Sequence, residues 1–304
     1  MKVLIVGQGV QGEKRKKYLG KDFFAYFDPF NQKSDFKKLE NIPEEKYDTV
    51  MLCVPDKVKI KLINYFVNKR KNILIEKPLL ANRSQTLKNI EKKSISNKVF
   101  TYVAYNHRFE PHYKNIKKII KKNKLGKIYS LRIFYGNGTS KLVKKSNWRD
   151  SGLGVISDIG SHLLDLCIFF FGSKNFSFKK INSNFFENKS PDHAVLLSRF
   201  KKIHIQLEMT LCMWKNNMDL DLIFEKGSVH MNNLCKWGPS KLTIRKRVYP
   251  SGKPLEKNYI LNLKDPTWLE EYKFFKKSVK NKKKTDLSND IWINNQMKKF
   301  REKN

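Results

Sequence analysis

Nineteen residues at the start of the chain restrict its fold more than any other stretch. Lys2-Val-Leu-Ile-Val6 is a short apolar, β-branched run, Gly7-Gln-Gly-Val-Gln-Gly12 follows at once, and a lysine-rich segment of helical composition continues to Leu19. A strand that passes through three spaced glycines into a helix is the turn with which a parallel α/β sheet holds a dinucleotide. Gly7 permits the tight turn, Gly9 lets backbone approach a pyrophosphate, and Gly12 lets the helix pack on the strand. Val10 and Gln11 fall in the same turn and join the candidate cofactor set. A G-x-G-x-x-G in an ordinary turn lacks the flanking strand and helix, and here both are readable.

Alternation of strand and helix then runs to about residue 105. Phe23-Phe-Ala-Tyr-Phe27 reads as the second strand and ends at Asp28, 21 positions after Gly7. A carboxylate there accepts hydrogen bonds from the adenosine ribose and repels a 2′-phosphate, which favours NAD over NADP. An Asp28-Pro29 turn with nothing bound is the other reading of the same residues. Tyr47–Val54 is a buried strand closed by Pro55-Asp56, Lys57–Asn68 a helix, and Asn72–Ile75 a strand running into Glu76-Lys77-Pro78. A helix over Ser84–Lys93 and a strand over Val99–Tyr105 follow. Ligands of open α/β sheets sit beyond the carboxyl ends of the strands, where Cys53, Val54, Pro55 and Lys77 all fall. The expected fold is α/β, a doubly wound parallel sheet over residues 1–124.

Past a basic helix and the turn Lys124-Leu-Gly126 the pattern changes to strands: Ile128–Tyr135, Ile181–Phe186, Ala194–Phe200, Ile203–Met213 and Leu220–Phe224. Apolar residues alternate with polar ones from Ile203 to Met213, the period of a half-buried antiparallel strand. Helices over Thr267–Lys280 and Ser288–Phe300 close the chain. Residues 125–304 therefore read as an α+β domain on a large, mostly antiparallel open sheet. Within it, Gly152-Leu-Gly-Val-Ile-Ser-Asp158-Ile-Gly-Ser-His162 leads glycines into a helix that sets Asp158 and His162 on one face. A histidine beside a carboxylate suits proton removal from a hydroxyl, and a helix-packing histidine with its carboxylate partner fits the same pattern. No cysteine or carboxylate cluster completes a metal site.

Taken together and in this order, the glycine turn, Glu76-Lys77-Pro78, Tyr105-Asn-His-Arg-Phe-Glu-Pro111, Trp148-Arg149 and Asp158-Ile-Gly-Ser-His162 resemble the glucose–fructose oxidoreductase / inositol dehydrogenase (Gfo/Idh/MocA) family of NAD(P)-dependent oxidoreductases. The resemblance covers nearly the whole chain. It implies a Rossmann domain followed by an open-sheet domain, with a sugar-like substrate held between them over the nicotinamide. It further implies that Lys77 hydrogen-bonds the reacting hydroxyl, that His162 takes its proton, and that Asp158 orients substrate or histidine. Glu76 and Pro78 would fix the lysine through a cis peptide, Asn106, Trp148 and Arg149 would line the nicotinamide side, and Arg108 the substrate side. A buried arginine–carboxylate pair and a core tryptophan are the other readings of Arg108 and Trp148. Gln8, Gln11 and Asp56 depart from the usual pattern without removing a catalytic group.

These readings make the expected activity NAD-dependent transfer of hydride from a secondary alcohol of a sugar or sugar derivative, with a non-catalytic NAD-binding regulator of the same fold as the alternative. Lys141, Lys144, Lys145 and Arg149 cluster ahead of the glycine-led helix and suit an anionic group, which leans toward a nucleotide-linked or acidic sugar. Their facing water is the other reading. With 63 Lys+Arg against 28 Asp+Glu the chain carries +35. The excess is spread along the chain rather than set in a stripe with stacking aromatics, so it reads as solvated surface and not as a nucleic-acid site. Four scattered cysteines without C-x-x-C spacing read as free thiols of a reducing, cytoplasmic compartment. No run is long enough to cross a bilayer. Strand Ile203–Met213 shows two faces, and the family resemblance, whose members pair such sheets back to back, implies a homodimer or homotetramer.

Overall fold

The computed structural model describes residues 1–301. The chain divides into two compact units, Met1–Asn106 with Thr267–Asn294, and His107–Pro266 with the segment from Asn295.

The first unit opens with β1 (Val3–Val6), α1 (Val10–Lys16), β2 (Phe23–Phe27), β3 (Thr49–Leu52), α2 (Asp56–Asn68), β4 (Asn72–Glu76), α3 (Ser84–Ser96) and β5 (Thr101–Ala104). The five strands form one sheet in the order β2-β1-β3-β4-β5, every pair parallel. β1 and β3 are buried at every residue, as a parallel sheet covered on both faces requires. The chain moves from β1 out to the edge strand β2 and crosses back to β3. The switch point of the sheet therefore lies at the carboxyl ends of β1 and β3, where Gly7 and Cys53 sit.

In the second unit come α4 (Pro111–Lys122), β6 (Ile128–Gly136), α5 (Ser140–Lys144), α6 (Ser161–Phe171), β7 (Phe178–Asn184), β8 (His193–Phe200), β9 (Ile203–Thr210), β10 (Asn217–Phe224), β11 (Gly227–Asn232), β12 (Ser240–Lys246) and β13 (Leu255–Leu261). Their sheet has the order β13-β12-β11-β10-β6-β9-β8-β7 and is antiparallel except for the parallel pair β6–β9. Ile205, Leu207 and Met209 of β9 are buried while His204 is exposed, which realises the two-residue period. β9 stops at Thr210 rather than Met213. The backbone turns there, Asn137 N–H donating to the Thr210 carbonyl and Met213 N–H to that of Asn137. Gly136 and Gly138 make room for this turn: a Cβ on either would come within 2.3 or 2.4 Å of Met213. β11, β12 and β13 carry no sequence signal strong enough to foresee. β13 is exposed along nearly its whole length and so has no buried face to write a period into its residues.

The chain ends with α7 (Thr267–Lys280) and α8 (Ser288–Arg301). Tyr272 and Phe275 of α7 are buried in the core of the first unit with Val3, Ile5, Leu19, Tyr26, Met51 and Leu74, and the Tyr272 hydroxyl donates to Asp22 at 2.6 Å. The first unit is thus discontinuous, and a single boundary at residue 124 does not describe it. α4 also falls on the other side of the division, because Tyr113 is buried with its ring 5.6 Å from Phe170 of α6. All four cysteines are free thiols, Cys167 and Cys235 buried, Cys53 and Cys212 partly so. Among the described residues no helix is long and apolar enough to cross a membrane.

Candidate functional site

Each glycine of the first turn has a separate steric reason. Gly7 sits at φ +96°, and a Cβ there would lie 2.4 Å from the Cys53 carbonyl oxygen. A Cβ on Gly12 would lie 2.1 Å from the Gly7 carbonyl oxygen, so α1 could not close on β1. Gly9 has nothing within 4 Å of its missing Cβ; its side faces open space. Packing demands two of the glycines, and the third leaves open space beside the turn. Val10, 72% exposed, stands beside that space.

Asp28 closes the turn from the end of β2. Its Oδ2 accepts the Gln8 N–H at 2.9 Å, and its Oδ1 accepts the N–H groups of Phe30 and Asn31 at 2.9 and 3.2 Å. The residue is half-buried, and two carboxylate oxygens offer about four acceptor positions, which leaves Oδ2 capacity for a ribose hydroxyl. The turn-forming reading of Asp28 is the one its three backbone hydrogen bonds show.

Beyond the ends of β3 and β4 lie Cys53-Val54-Pro55 and Glu76-Lys77-Pro78. The Lys77–Pro78 peptide is cis, and the half-buried Lys77 stands at the carboxyl end of the sheet. Lys59, only 3% exposed, steadies this turn: its ammonium donates to the Pro78 carbonyl at 2.8 Å and to Asp56 at 2.7 Å. Glu76 has a different partner from the one expected. Its carboxylate takes the Arg15 Nε–H at 2.6 Å, while Arg15 Nη1 donates to Glu271 of α7 at 2.7 Å. The guanidinium also lies over Trp268, 4.4 Å from the ring centroid. Burial, partly opposed by Arg15, pushes the Glu271 carboxyl up to about 7. Glu76 thus anchors the strand preceding Lys77 through Arg15. Asn106 likewise gives its side-chain amide to the Thr267 hydroxyl at 2.8 Å.

In the second unit Asp158 lies in a π-helical turn, Ile156–Gly160, that runs into α6, whereas a regular helix had been expected. Gly154, at φ +48°, starts the turn against the Pro191 carbonyl, which a Cβ would meet at 2.2 Å. π-turns inside helices concentrate at functional positions. Arg149 Nη2 donates to Asp158 Oδ2 at 3.2 Å, both side chains being about one-third exposed. His162, one turn further on, is 8% exposed. Trp148 is 58% exposed and no core residue. Arg108 forms the arginine–carboxylate pair that was its other reading: Nε donates to Asp165 at 2.7 Å and Nη2 to the second oxygen. Asp165 is buried, and that burial pushes its carboxyl up in spite of the arginine. Lys141, Lys144 and Lys145 face water on and just after α5, and of that expected cluster only Arg149 is drawn in.

A residue given no role from sequence stands next to His162. The His107 ring, 3% exposed, is stacked on His162 with centroids 4.0 Å apart and planes at 17°. Lys236 Nζ lies 3.1 Å from His107 Nε2. Nothing in the sequence ties positions 107, 162 and 236, which come from a 3₁₀ turn, a helix and a loop between strands. Arg15, Lys59 and Glu271 escaped notice for the opposite reason, being cations and a carboxylate in lysine-rich helices where such residues are ordinary.

Residues 113–230 match the GFO/IDH/MocA C-terminal domain. Among curated relatives, the glucose-6-phosphate 3-dehydrogenase of Bacillus subtilis is 25% identical over 204 residues, 64% of this chain and 55% of that protein. The inositol 2-dehydrogenase of Corynebacterium glutamicum is 23% identical over 222 residues, 70% of this chain and 64% of that protein. The chain thus matches less than two thirds of either relative's length. Among solved structures, levoglucosan dehydrogenase in complex with NADH superposes with a TM-score of 0.81 at 16% identity, covering 98% of this chain and 96% of that one. That likeness is one of fold, and the parallel sheet followed by a large, mostly antiparallel one is the shared feature.

Proposed function

We propose that the chain is an NAD-dependent oxidoreductase acting on a secondary alcohol of a sugar or polyol. The observation that carries the reading is the turn of the first unit, where packing explains Gly7 and Gly12 but leaves Gly9 open, with Asp28 hydrogen-bonded to Gln8 directly across from it. Gly7, Gly9, Val10, Gln11 and Gly12 would hold the pyrophosphate, Asp28 a ribose hydroxyl, and Cys53, Val54 and Pro55 the edge of the same site. Bound there, NAD would supply the hydride acceptor. Relatives of the family named for a glucose phosphate and for inositol, and a fold neighbour named for levoglucosan, support a sugar-like substrate.

The chain's own residues then have four tasks. Lys77, from its rigid turn, donates a hydrogen bond to the reacting hydroxyl oxygen and favours its anionic form. His162 accepts the proton that leaves that oxygen. Asp158, held by Arg149, orients the substrate, and Trp148 offers an exposed apolar face to a sugar ring. With Lys141, Lys144 and Lys145 in water, the cationic lean toward a nucleotide-linked or acidic sugar rests on Arg149 alone, so neutral polyols enter on equal terms. A homo-oligomer paired through the open face of the second sheet, a soluble cytoplasmic setting and the absence of a nucleic-acid partner complete the reading.

A panel of inositols, free hexoses, sugar phosphates, sugar acids and nucleotide sugars, followed by NADH absorbance, tests it. One member should be turned over, with Lys77→Ala and His162→Ala each slower by about two to four orders of magnitude while still binding NAD. Gly9→Ala should fold normally and weaken NAD binding at least tenfold, since its methyl group occupies the open space. An inert panel combined with NAD binding would favour the regulator instead.

A further inference from the structure

The second unit holds a group of aromatic rings that its fold does not require. His162 stacks on His107, the Tyr135 ring is 5.7 Å from His107, and Trp237 meets Tyr135 edge-on at 5.2 Å. Into this group the partly buried Lys236 extends its ammonium, 3.1 Å from His107 Nε2 and 4.7 Å from the Trp237 centroid. An ammonium has three donors and no acceptor. His107 Nε2 must therefore accept, which fixes His107 as a neutral imidazole with its proton on Nδ1. Two imidazoles 4.0 Å apart and nearly parallel resist double protonation, since like charges at that distance repel strongly in a partly desolvated setting.

We propose that Lys236, acting through His107, is a positioning residue that keeps His162 unprotonated at neutral pH. The fixed cation one ring away supplies the electrostatic bias, and the stack supplies the orientation. Other charges face the same group. Asp158, paired with Arg149, acts on Tyr135, and Asp265 acts on Tyr135 and on Glu110. Glu110 is 1% exposed and takes the Cys235 thiol proton in a hydrogen bond at 3.0 Å; burial pushes its carboxyl up, which weakens it as a counter-charge to Lys236. Asp165 is buried on the same helix and held by Arg108. The Tyr135 hydroxyl is pushed up by burial and stays neutral. Lys236 is thus the cation seated directly on the stack. Nothing in the family match, which ends at residue 230, covers it.

The inference rests on the proposed role of His162 only for its catalytic meaning, and its test requires no turnover. The full chain, labelled at histidine Cε1 and ring nitrogens, is titrated by NMR without cofactor or substrate, the His162 and His107 signals being assigned by His162→Gln and His107→Gln. In the unaltered chain His107 should keep an unprotonated Nε2 down to about pH 5. Lys236→Met should raise the His162 midpoint by about one pH unit, and Lys236→Arg, which retains a cation, should restore it. A His107 that protonates above about pH 6 overturns the proposal even if Lys236→Met fails to fold. So does a His162 midpoint that Lys236→Met leaves in place. A chain that shows the shift yet turns over no sugar loses the oxidoreductase reading and keeps this one.

Discussion

The two units bury charge in opposite ways. The first encloses an ionic triad, Arg15 between Glu76 and Glu271, all three side chains at most 11% exposed. The second encloses the stacked rings of His107 and His162 with the Lys236 ammonium beside them, and a separate Arg108–Asp165 pair whose arginine is 24% exposed. The sheets account for the contrast. A parallel sheet covered on both faces admits polar groups only past its strand ends, where they lie in a dry interior and must pair fully. A sheet covered on one face leaves its rim within reach of water, where a cation need not be sealed between two buried carboxylates. The first arrangement carries stability, and the second is free to tune proton affinity.

That contrast breaks most readily at its strongest member. Arg15→Met leaves two buried carboxylates without a cation and should cost on the order of 3–5 kcal/mol in urea unfolding at pH 7. Arg108→Met removes the partner of one buried carboxylate, Asp165, rather than two, and the lost arginine was itself 24% exposed, so a loss of about 1–3 kcal/mol is expected. Equal losses would erase the difference between the units.

A second effect, of a few kcal/mol at most, depends on pH. Glu271 has a native pKa raised from an ordinary carboxyl value to about 7, chiefly by desolvation. Between those two values the native state holds a proton that the unfolded state has released, so stability falls as pH rises through that window and levels off above it. Glu271→Gln keeps an oxygen for Arg15 and has no proton to lose. Melting temperatures of the two proteins at pH 5 and pH 8 should show the variant losing less over that interval. Parallel curves would mean that Glu271 is ionised throughout.

The smallest effect sharpens the comparison by its size. Lys141→Ser, Lys144→Ser and Lys145→Ser, alone or together, should change stability by less than about 0.5 kcal/mol and leave turnover of an uncharged sugar unaltered. A substantial rise in KM or fall in kcat for a charged sugar alone would return these lysines to the site.

Legibility followed the same division. The turn Gly7–Gly12, Asp28 and Glu76-Lys77-Pro78 could be found because a parallel sheet puts its chemistry at strand ends, where short contiguous motifs record it. The five-stranded sheet and its order of elements were readable for the same reason: strands buried on both faces are unbroken apolar runs. In the second unit β9 showed its period and β6, β8 and β10 could be read as strand-like runs, while β11 to β13 at the open edge could not. Asp158 and His162 were visible through their spacing, but the π-turn between them was not, since backbone winding leaves no mark in a five-residue segment. His107 and Lys236 were out of reach altogether: 129 residues separate them, and only the closed sheet brings the two side chains together.

The discontinuity of the first unit also bears on the order in which the protein can be made. Tyr272 and Phe275 complete the hydrophobic interior begun by Val3 and Ile5, and Glu271 supplies one arm of the Arg15 triad. A nascent chain that has emerged as far as Pro266 has every strand of both sheets but lacks that helix. The first unit, though first to leave the ribosome, therefore stays open until Thr267–Asn294 have emerged, and the second, which by then already holds His107–Pro266, receives its last segment only from Asn295 onward.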